Sequence, residues 1–306
     1  MLEVSGLSLD YGDRTVLKGL NFLLKPNRVY GIFGYSGVGK SSLLRIIAGY
    51  QDPKAGKVHL NGKCLPLSSQ RLVPGFPEIS LVTTDNPLDW NHTCEENIRE
   101  AILGWSIPKR TARVQELLQG LELTPVKNIR AKRLSDGEKQ RLAIARALAN
   151  KPKWLLLDEP FGHLDFSNKK KLLLQIFGLG NYNVLMVSHD VQDLMAHCDQ
   201  IAVLSHSGKL SKFEKPHTKF FNLKHRKNAE LLGPVNSLEV DGINYLFRPT
   251  DFKQSVQGVP LTLTSVFFNG MVYVHYFCSL KNEEVVLYYQ EPMPNFVNIL
   301  PFYGKE

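Results

Sequence analysis

Residues Gly34 to Ser42 read Gly-Tyr-Ser-Gly-Val-Gly-Lys-Ser-Ser. The spacing is G-x-x-x-x-G-K-[ST], which crowds backbone donors, one lysine and one hydroxyl into a single turn. That chemistry suits a polyphosphate, whose several negative charges need many donors in little space. Glycines let the chain turn sharply and bring its N–H groups against phosphate oxygens. A helix starting near Lys40 would aim its positive end, roughly half a charge, at the same oxygens. Lys40 adds a full charge near the β- and γ-phosphates of a nucleotide, and Ser41 is placed to hold Mg²⁺. By chance alone, a four-position pattern of this kind arises in roughly one chain in a hundred of this length. Other residues must therefore decide.

The second chemical signal is Trp154-Leu155-Leu156-Leu157-Asp158-Glu159-Pro160. The apolar run reads as a central parallel strand buried on both faces. Two carboxylates at its C-terminal end are costly to bury unpaired, and in a doubly wound sheet that end is where ligands bind. Asp158 suits Mg²⁺, and Glu159 suits polarising a water for attack on a γ-phosphate. Ser188-His189-Asp190 ends another apolar run, Asn183 to Val187. His189 there is either a helix-cap neighbour or a group that senses the γ-phosphate. Ser135 to Glu138 opens a helical pattern through Leu142, Ala145 and Leu148. Ser-x-x-Glu is a capping box, and a Ser and a Gly at a helix start also suit an anion. Tyr11, in the turn Asp10-Tyr11-Gly12-Asp13, reads as a surface tyrosine of a hairpin or as a ring that stacks on adenine.

The elements that must position these groups follow the same alternation. Leu2 to Leu9, Val16 to Leu24, Arg28 to Phe33, Gly56 to Leu60 and Ile79 to Thr83 read as strands, with a helix leaving the loop over Ser42 to Tyr50. Between about 86 and 150 the pattern turns helical: Thr93 caps one helix with Glu96 three positions on, and Pro108 opens another through Val114, Leu117, Leu118 and Leu121. Ile201 to Leu204 and Lys209 to Phe213 read as a closing hairpin around Ser207-Gly208. From about Leu231 the pattern is all-β, with hairpin turns at Asp241-Gly242 and Asn269-Gly270. Glu283 to Tyr289 is the fifth strand, and five short strands suggest a small barrel of oligomer-binding type or a sandwich.

Composition narrows the function classes. With 306 residues, 43% hydrophobic and 22% charged, the chain is long enough for one ordinary domain plus a smaller one. No apolar run approaches the ~18 residues needed to cross a bilayer, and Met1 to Val4 lacks the look of a secretory signal. The expected place is therefore the cytoplasm. Cys64, Cys94, Cys198 and Cys278 are scattered, which argues against a disulfide framework or zinc site. The net charge of +8 and the basic stretch from Lys209 to Lys227 read as solvated surface. They lack aromatics arranged as stacking platforms, so nucleic acid is not expected.

Taken in order, these parts resemble the ATP-binding cassette (ABC) ATPases of membrane transporters over roughly residues 1 to 220. The resemblance implies an α/β P-loop ATPase core with a helical insert. Gly34, Tyr35, Ser36, Gly37, Val38, Gly39, Lys40, Ser41 and Ser42 then form the Walker A loop, and Tyr11 stacks on the adenine. Asp158 and Glu159 end the Walker B strand, Glu159 is catalytic, and His189 is the switch histidine. Ser135, Asp136, Gly137 and Glu138 belong to the signature, which acts on the ATP of a second cassette, and Asp165 lies in a dimer-contacting loop. Residues 221–230 become a basic linker, and 231–306 resemble the oligomer-binding-like β-domain of importer ATPases, with Arg248-Pro249-Thr250-Asp251 at a strand end. Implied cofactors are ATP and Mg²⁺. Implied partners are a second cassette, most simply a copy of this chain, transmembrane permease subunits and a solute-binding protein, with the ATPase at the inner face of the cell membrane. A non-catalytic ATP-binding subunit and a soluble non-transport ATPase are the alternatives. Two departures stand out. Thr84, with Asp85 after it, replaces the family's usual Gln, and Asp85 is the candidate substitute on the Mg²⁺ side. Asp136 replaces the usual Gly and would repel phosphate unless it turns away and caps its helix. Glu138 replaces a usual Gln.

Overall fold

The computed structural model describes residues 1–83, 85, 88–162, 166–224 and 226–301. The chain divides between Pro216 and His217 into two compact units. Residues 221–230, expected as a basic linker, thus belong to the second unit.

The first unit holds two sheets. The antiparallel one is ordered β2-β1-β4-β5, from β1 (Leu2–Tyr11), β2 (Arg14–Leu24), β4 (Ala55–Leu60) and the short β5 (Lys63–Cys64). The parallel sheet adds β3 (Val29–Phe33), β6 (Ile79–Val82), β7 (Trp154–Asp158), β8 (Asn183–Ser188) and β9 (Gln200–Val203), in the order β6-β7-β8-β3-β9. Every residue of β3 and β7 is buried, as unbroken apolar runs in the interior of a parallel sheet require. Both strands end at the same sheet edge, where β3 feeds the phosphate loop and β7 delivers Asp158.

Helix α1 (Lys40–Ile47) packs Leu43, Leu44, Ile46 and Ile47 into the core shared by the two sheets. The helical region comprises α2 (Cys94–Glu100), α3 (Ile107–Gly120) and α4 (Asp136–Leu148). Both expected capping boxes form: Thr93 with Glu96 on α2, and Ser135 with Glu138 on α4. Each satisfies otherwise orphaned N–H groups of a first turn. The Arg113 side chain, 2% exposed, closes the other end of α4 by donating to Leu148 O at 2.7 Å and Ala149 O at 3.4 Å. Helices α5 (Phe166–Gly178) and α6 (Val191–His197) follow β7 and β8. The expected strand over Lys209 to Phe213 does not form. Isolated bridges, Leu204↔Leu210 and Ile201↔Glu214, and a hydrogen bond from the Ser211 N–H to Val203 O at 2.9 Å join it to the end of β9. Ser211 Oγ accepts the Val203 N–H at 2.8 Å, so a side chain replaces the backbone acceptor that a continuous ladder would need.

The second unit contains α7 (Pro216–Phe221, which begins at the boundary), α8 (Arg226–Leu231), and strands β10 (Asn236–Val240), β11 (Ile243–Phe247), β12 (Phe252–Phe268), β13 (Tyr273–Ser279), β14 (Glu284–Tyr289) and β15 (Phe296–Pro301). Part of the basic stretch is therefore a helix, stapled by Arg226 Nε to Glu230 Oε1 at 2.7 Å. Strands β10 and β11 pair with each other, and the others form a sheet ordered β14-β13-β12-β15. All are antiparallel and together they make a half-barrel around Leu238, Phe247, Phe277, Leu287 and Ile299. Among the described residues six strands are present where five were expected. The overlooked β15 follows Pro292 and Pro294, which read as loop. Strand β12 is also longer than expected, because it continues through a bulge between Gln254 and Val259, both opposite Ile299. Gly258 sits in that bulge so close to the neighbouring strand that a Cβ would lie 2.5 Å from Ile299 O.

Candidate functional site

At the edge where β3 and β7 end, a cavity of about 400 Å³ is lined by Tyr11, Arg14, Val16, Ser36, Gly37, Gly39, Lys40, Ser41, Ser42, Asp158 and Glu159. The loop is shaped by Gly37 at φ 76° and Gly39 at φ 104°, left-handed values that favour glycine. Gly39 is hemmed in as well: a Cβ there would stand 2.4 Å from Val16 Cγ1. Gly39→Ala is therefore expected to destabilise the loop by about 1–3 kcal/mol and to weaken nucleotide binding, measurable by titration with a fluorescent ATP analogue.

Lys40 is 6% exposed and donates to Gly34 O at 2.7 Å and Tyr35 O at 3.2 Å. Its ammonium also pairs with Glu159 Oε1 at 3.3 Å. Glu159 itself sits at φ 49°, an uncommon conformation for a non-glycine residue. Its Oε2 accepts from Ser188 Oγ and from the His189 N–H, each at 3.2 Å, and lies 2.9 Å from His189 Nδ1. Ser188 Oγ in turn accepts the Asp190 N–H at 2.9 Å, which ties the carboxylate to the start of α6.

Asp158 is 5% exposed, and its Oδ1 is buried without a hydrogen-bond partner among the described residues. Burial pushes its pKa up, a hydrogen bond with Ser41 opposes the shift, and the adjacent Glu159 charge adds to it. A carboxylate held uncomfortably beside a hydroxyl, with one oxygen free, fits a hard divalent cation, which favours oxygen ligands. Tyr11 lies at the cavity mouth, 52% exposed, with its hydroxyl 3.1 Å from Ser42 Oγ and accepting from Gln51 Nε2 at 2.9 Å.

The structure brings Tyr11, Gly37, Gly39, Lys40, Ser41, Ser42, Asp158, Glu159 and His189 together. It does not bring Ser135, Asp136, Gly137 or Glu138 to this cavity. In this chain they form the first turn of α4, where Glu138 accepts the Ser135 N–H at 2.8 Å. Asp136 is exposed and pairs with Lys139 Nζ at 3.0 Å. Asp85 is exposed and does not line the cavity. Thr84 and Asp165 lie outside the described residues. Sequence reasoning passed over Arg14, Ser188 and Gln51. Arg14, whose Nη2 is 3.5 Å from Gly37 O, follows the Tyr11 turn by three residues, and Ser188 directly precedes His189. Proximity to those singled-out residues was the available signal.

Comparison with known proteins points to one family. The family model described as ABC transporter matches residues 17–162. The Fe(3+) ions import ATP-binding protein FbpC 2 of Rhodococcus jostii (strain RHA1) is 33% identical over 79% of this chain and 70% of its own length. The sulfate/thiosulfate import ATP-binding protein CysA of Synechococcus elongatus is 32% identical over 86% of this chain and 80% of its own. Among solved structures, the ATP-binding cassette MJ0796, a dimer in a post-hydrolysis state bound to ADP and Pi, superposes with a TM-score of 0.61 at 28% identity. That match spans 71% of this chain and 99% of the other.

Proposed function

We propose an assignment of roles that proceeds from one premise: this chain belongs to the ABC transporter ATP-binding subunits. It is an ATP-binding subunit and ATPase that energises an importer. The observation that carries the catalytic reading is Glu159, poised between Lys40 and His189 at the rim of the cavity. Lys40 would exchange the Gly34 and Tyr35 carbonyls and the Glu159 carboxylate for the β- and γ-phosphates of ATP. The backbone N–H groups of the loop would receive the remaining phosphate oxygens, and Tyr11 would stack on the adenine at the mouth. Released from Lys40, Glu159 Oε1 would accept a proton from the attacking water, while His189 steadies the other oxygen.

Ser41 and Asp158 are the residues that would hold Mg²⁺, whose charge offsets that of the phosphates. Asp158→Asn is expected to raise the Mg²⁺ concentration needed for half-maximal hydrolysis by about tenfold or more, with the fold intact. An unchanged Mg²⁺ dependence in a steady-state ATPase assay would remove Asp158 from this role.

The signature from Ser135 to Glu138, absent from its own chain's cavity, would complete the ATP site of a second copy. Asp136 held by Lys139 reduces the repulsion its charge would cause there. Among the described residues no helix is long and apolar enough to cross a membrane, so coupling to transport would run through permease subunits at the inner face. A solute-binding protein would deliver cargo. The relatives are named for import of Fe(3+) ions, of sulfate and thiosulfate, and of spermidine and putrescine, a spread that supports selection of cargo by other subunits. Co-purification with a permease tests the partnership.

A further inference from the structure

Helix α6 begins two residues after His189, and little apolar packing holds it: of its seven residues only Asp193 and Leu194 are buried. Asp193 is a first-turn carboxylate, 6% exposed, and such a charge is costly to bury without a partner. The partner comes from another helix. Lys169 of α5 places Nζ 2.6 Å from Asp193 Oδ1 and 3.9 Å from Asp190 Oδ2, with its side chain 15% exposed. The same ammonium lies 6.0 Å from the centroid of the Phe161 ring. Phe161 is buried and stands two residues after Glu159. Neither Lys169 nor Asp193 nor Phe161 lines the nucleotide cavity. A chain of contacts nevertheless leads there. Asp190 caps α6 by accepting the Gln192 N–H at 2.9 Å, and gives its own N–H to Ser188 Oγ. Ser188 Oγ donates to Glu159 Oε2, the oxygen on which His189 also converges.

We propose that Lys169 is a positioning residue for hydrolysis. By pairing with Asp193 and Asp190 it holds the start of α6 where Ser188 and His189 grip Glu159 Oε2, and so keeps Oε1 aimed at the attacking water. The inference rests on the reading of Glu159 as the base. Glu159 sits at φ 49°, a conformation that persists only where its surroundings enforce it, and Lys169 braces those surroundings from two sides. It meets α6 through the carboxylates and the segment after Glu159 through the Phe161 ring. Without Lys169, Asp193 loses the cation that compensates its buried charge. The carboxylate then turns toward water, and the first turn of α6 moves with it. Lys169 touches neither nucleotide nor reacting atoms, so its removal lowers kcat and spares ATP affinity.

Steady-state ATPase activity and equilibrium binding of a fluorescent ATP analogue, both on the full chain, test this. Lys169→Met is expected to lower kcat by about ten- to a hundredfold, the cost of misplacing a catalytic group by an ångström or less, with affinity for the analogue held within about twofold. Asp193→Asn, nearly isosteric, should reproduce the loss, and Lys169→Arg should restore most of kcat. Leu173→Ala opens a cavity beneath the same helix, where Leu173 is buried. It should lower the melting temperature and leave kcat within about twofold, which separates positioning from mere loosening of α5. Added to Glu159→Gln, Lys169→Met should cost little more in kcat, because the group it aims is gone. If Lys169→Met and Asp193→Asn keep kcat, or if the Lys169→Met loss adds in full to that of Glu159→Gln, the proposal is overturned and Glu159 stands as the base. A Glu159→Gln chain that keeps kcat overturns the reading beneath it instead.

Discussion

Replacing Glu159 with Gln is expected to lower kcat for ATP hydrolysis by about 10²- to 10⁴-fold, the range that a positioned general base contributes. The amide keeps the shape of the carboxylate and can still accept from Ser188 Oγ and the His189 N–H, which now converge on Glu159 Oε2. It cannot take a proton from water. Binding should respond differently. The 3.3 Å ion pair between Lys40 and Glu159 competes with phosphate for the same ammonium, so its loss should leave ATP affinity equal or tighter. The pair of measurements is therefore diagnostic: single-turnover hydrolysis falls while equilibrium ATP binding holds. A variant that retains kcat would exclude Glu159 as the base, and a chain inactive before substitution would favour a non-catalytic subunit.

The second large effect is expected far from the cavity. Arg248 is fully buried, and its guanidinium donates to Phe220 O, Gly233 O, Pro234 O and Ala229 O at 2.6 to 3.1 Å. Its centre lies 4.0 Å from the Phe220 ring centroid. Burial pushes its pKa down to about 10, which still leaves it charged at neutral pH. Carbonyl oxygens around the ends of α7 and α8, with the ring face, stand in for a carboxylate partner. Arg248→Met should strand those acceptors and destabilise the second unit by about 3 kcal/mol or more. Lysine should rescue little, because a single ammonium cannot reach acceptors spread around a planar fork. Hydrogen exchange at Leu238 and Leu246 in the full chain reads the effect within the unit concerned. Unaltered protection there would show that Arg248 is not what holds it together.

What was legible in advance is governed by neighbours within a few residues. The glycine spacing of the phosphate loop is such a feature, and so are the capping boxes at Thr93 and Ser135 and the turns at Asp241-Gly242 and Asn269-Gly270. The buried runs of β3 and β7 also declared themselves, since an interior parallel strand has no polar face to alternate with. The resemblance to ABC ATPases rested on the order of these local features. It reached the family that the similar proteins also indicate.

Other features have no local cause. Strand β15 exists because β12 offers it an edge, and nothing in Phe296 to Pro301 announces a strand between prolines. The return leg after Gly208 fails as a strand because Ser211 takes a ladder position with its side chain. The same distinction applies to the nucleotide cavity. The sequence alone determined that a phosphate loop and a paired-carboxylate strand end were present, because each is a short spacing of residue types. Only the tertiary structure decided that Lys40 leans on Glu159, that Ser188 holds the same carboxylate, that Arg14 joins the lining, and that Asp158 keeps one oxygen buried and free. Those relations depend on β3, β7 and β8 lying side by side in one sheet, and strand order is set by packing across the whole chain.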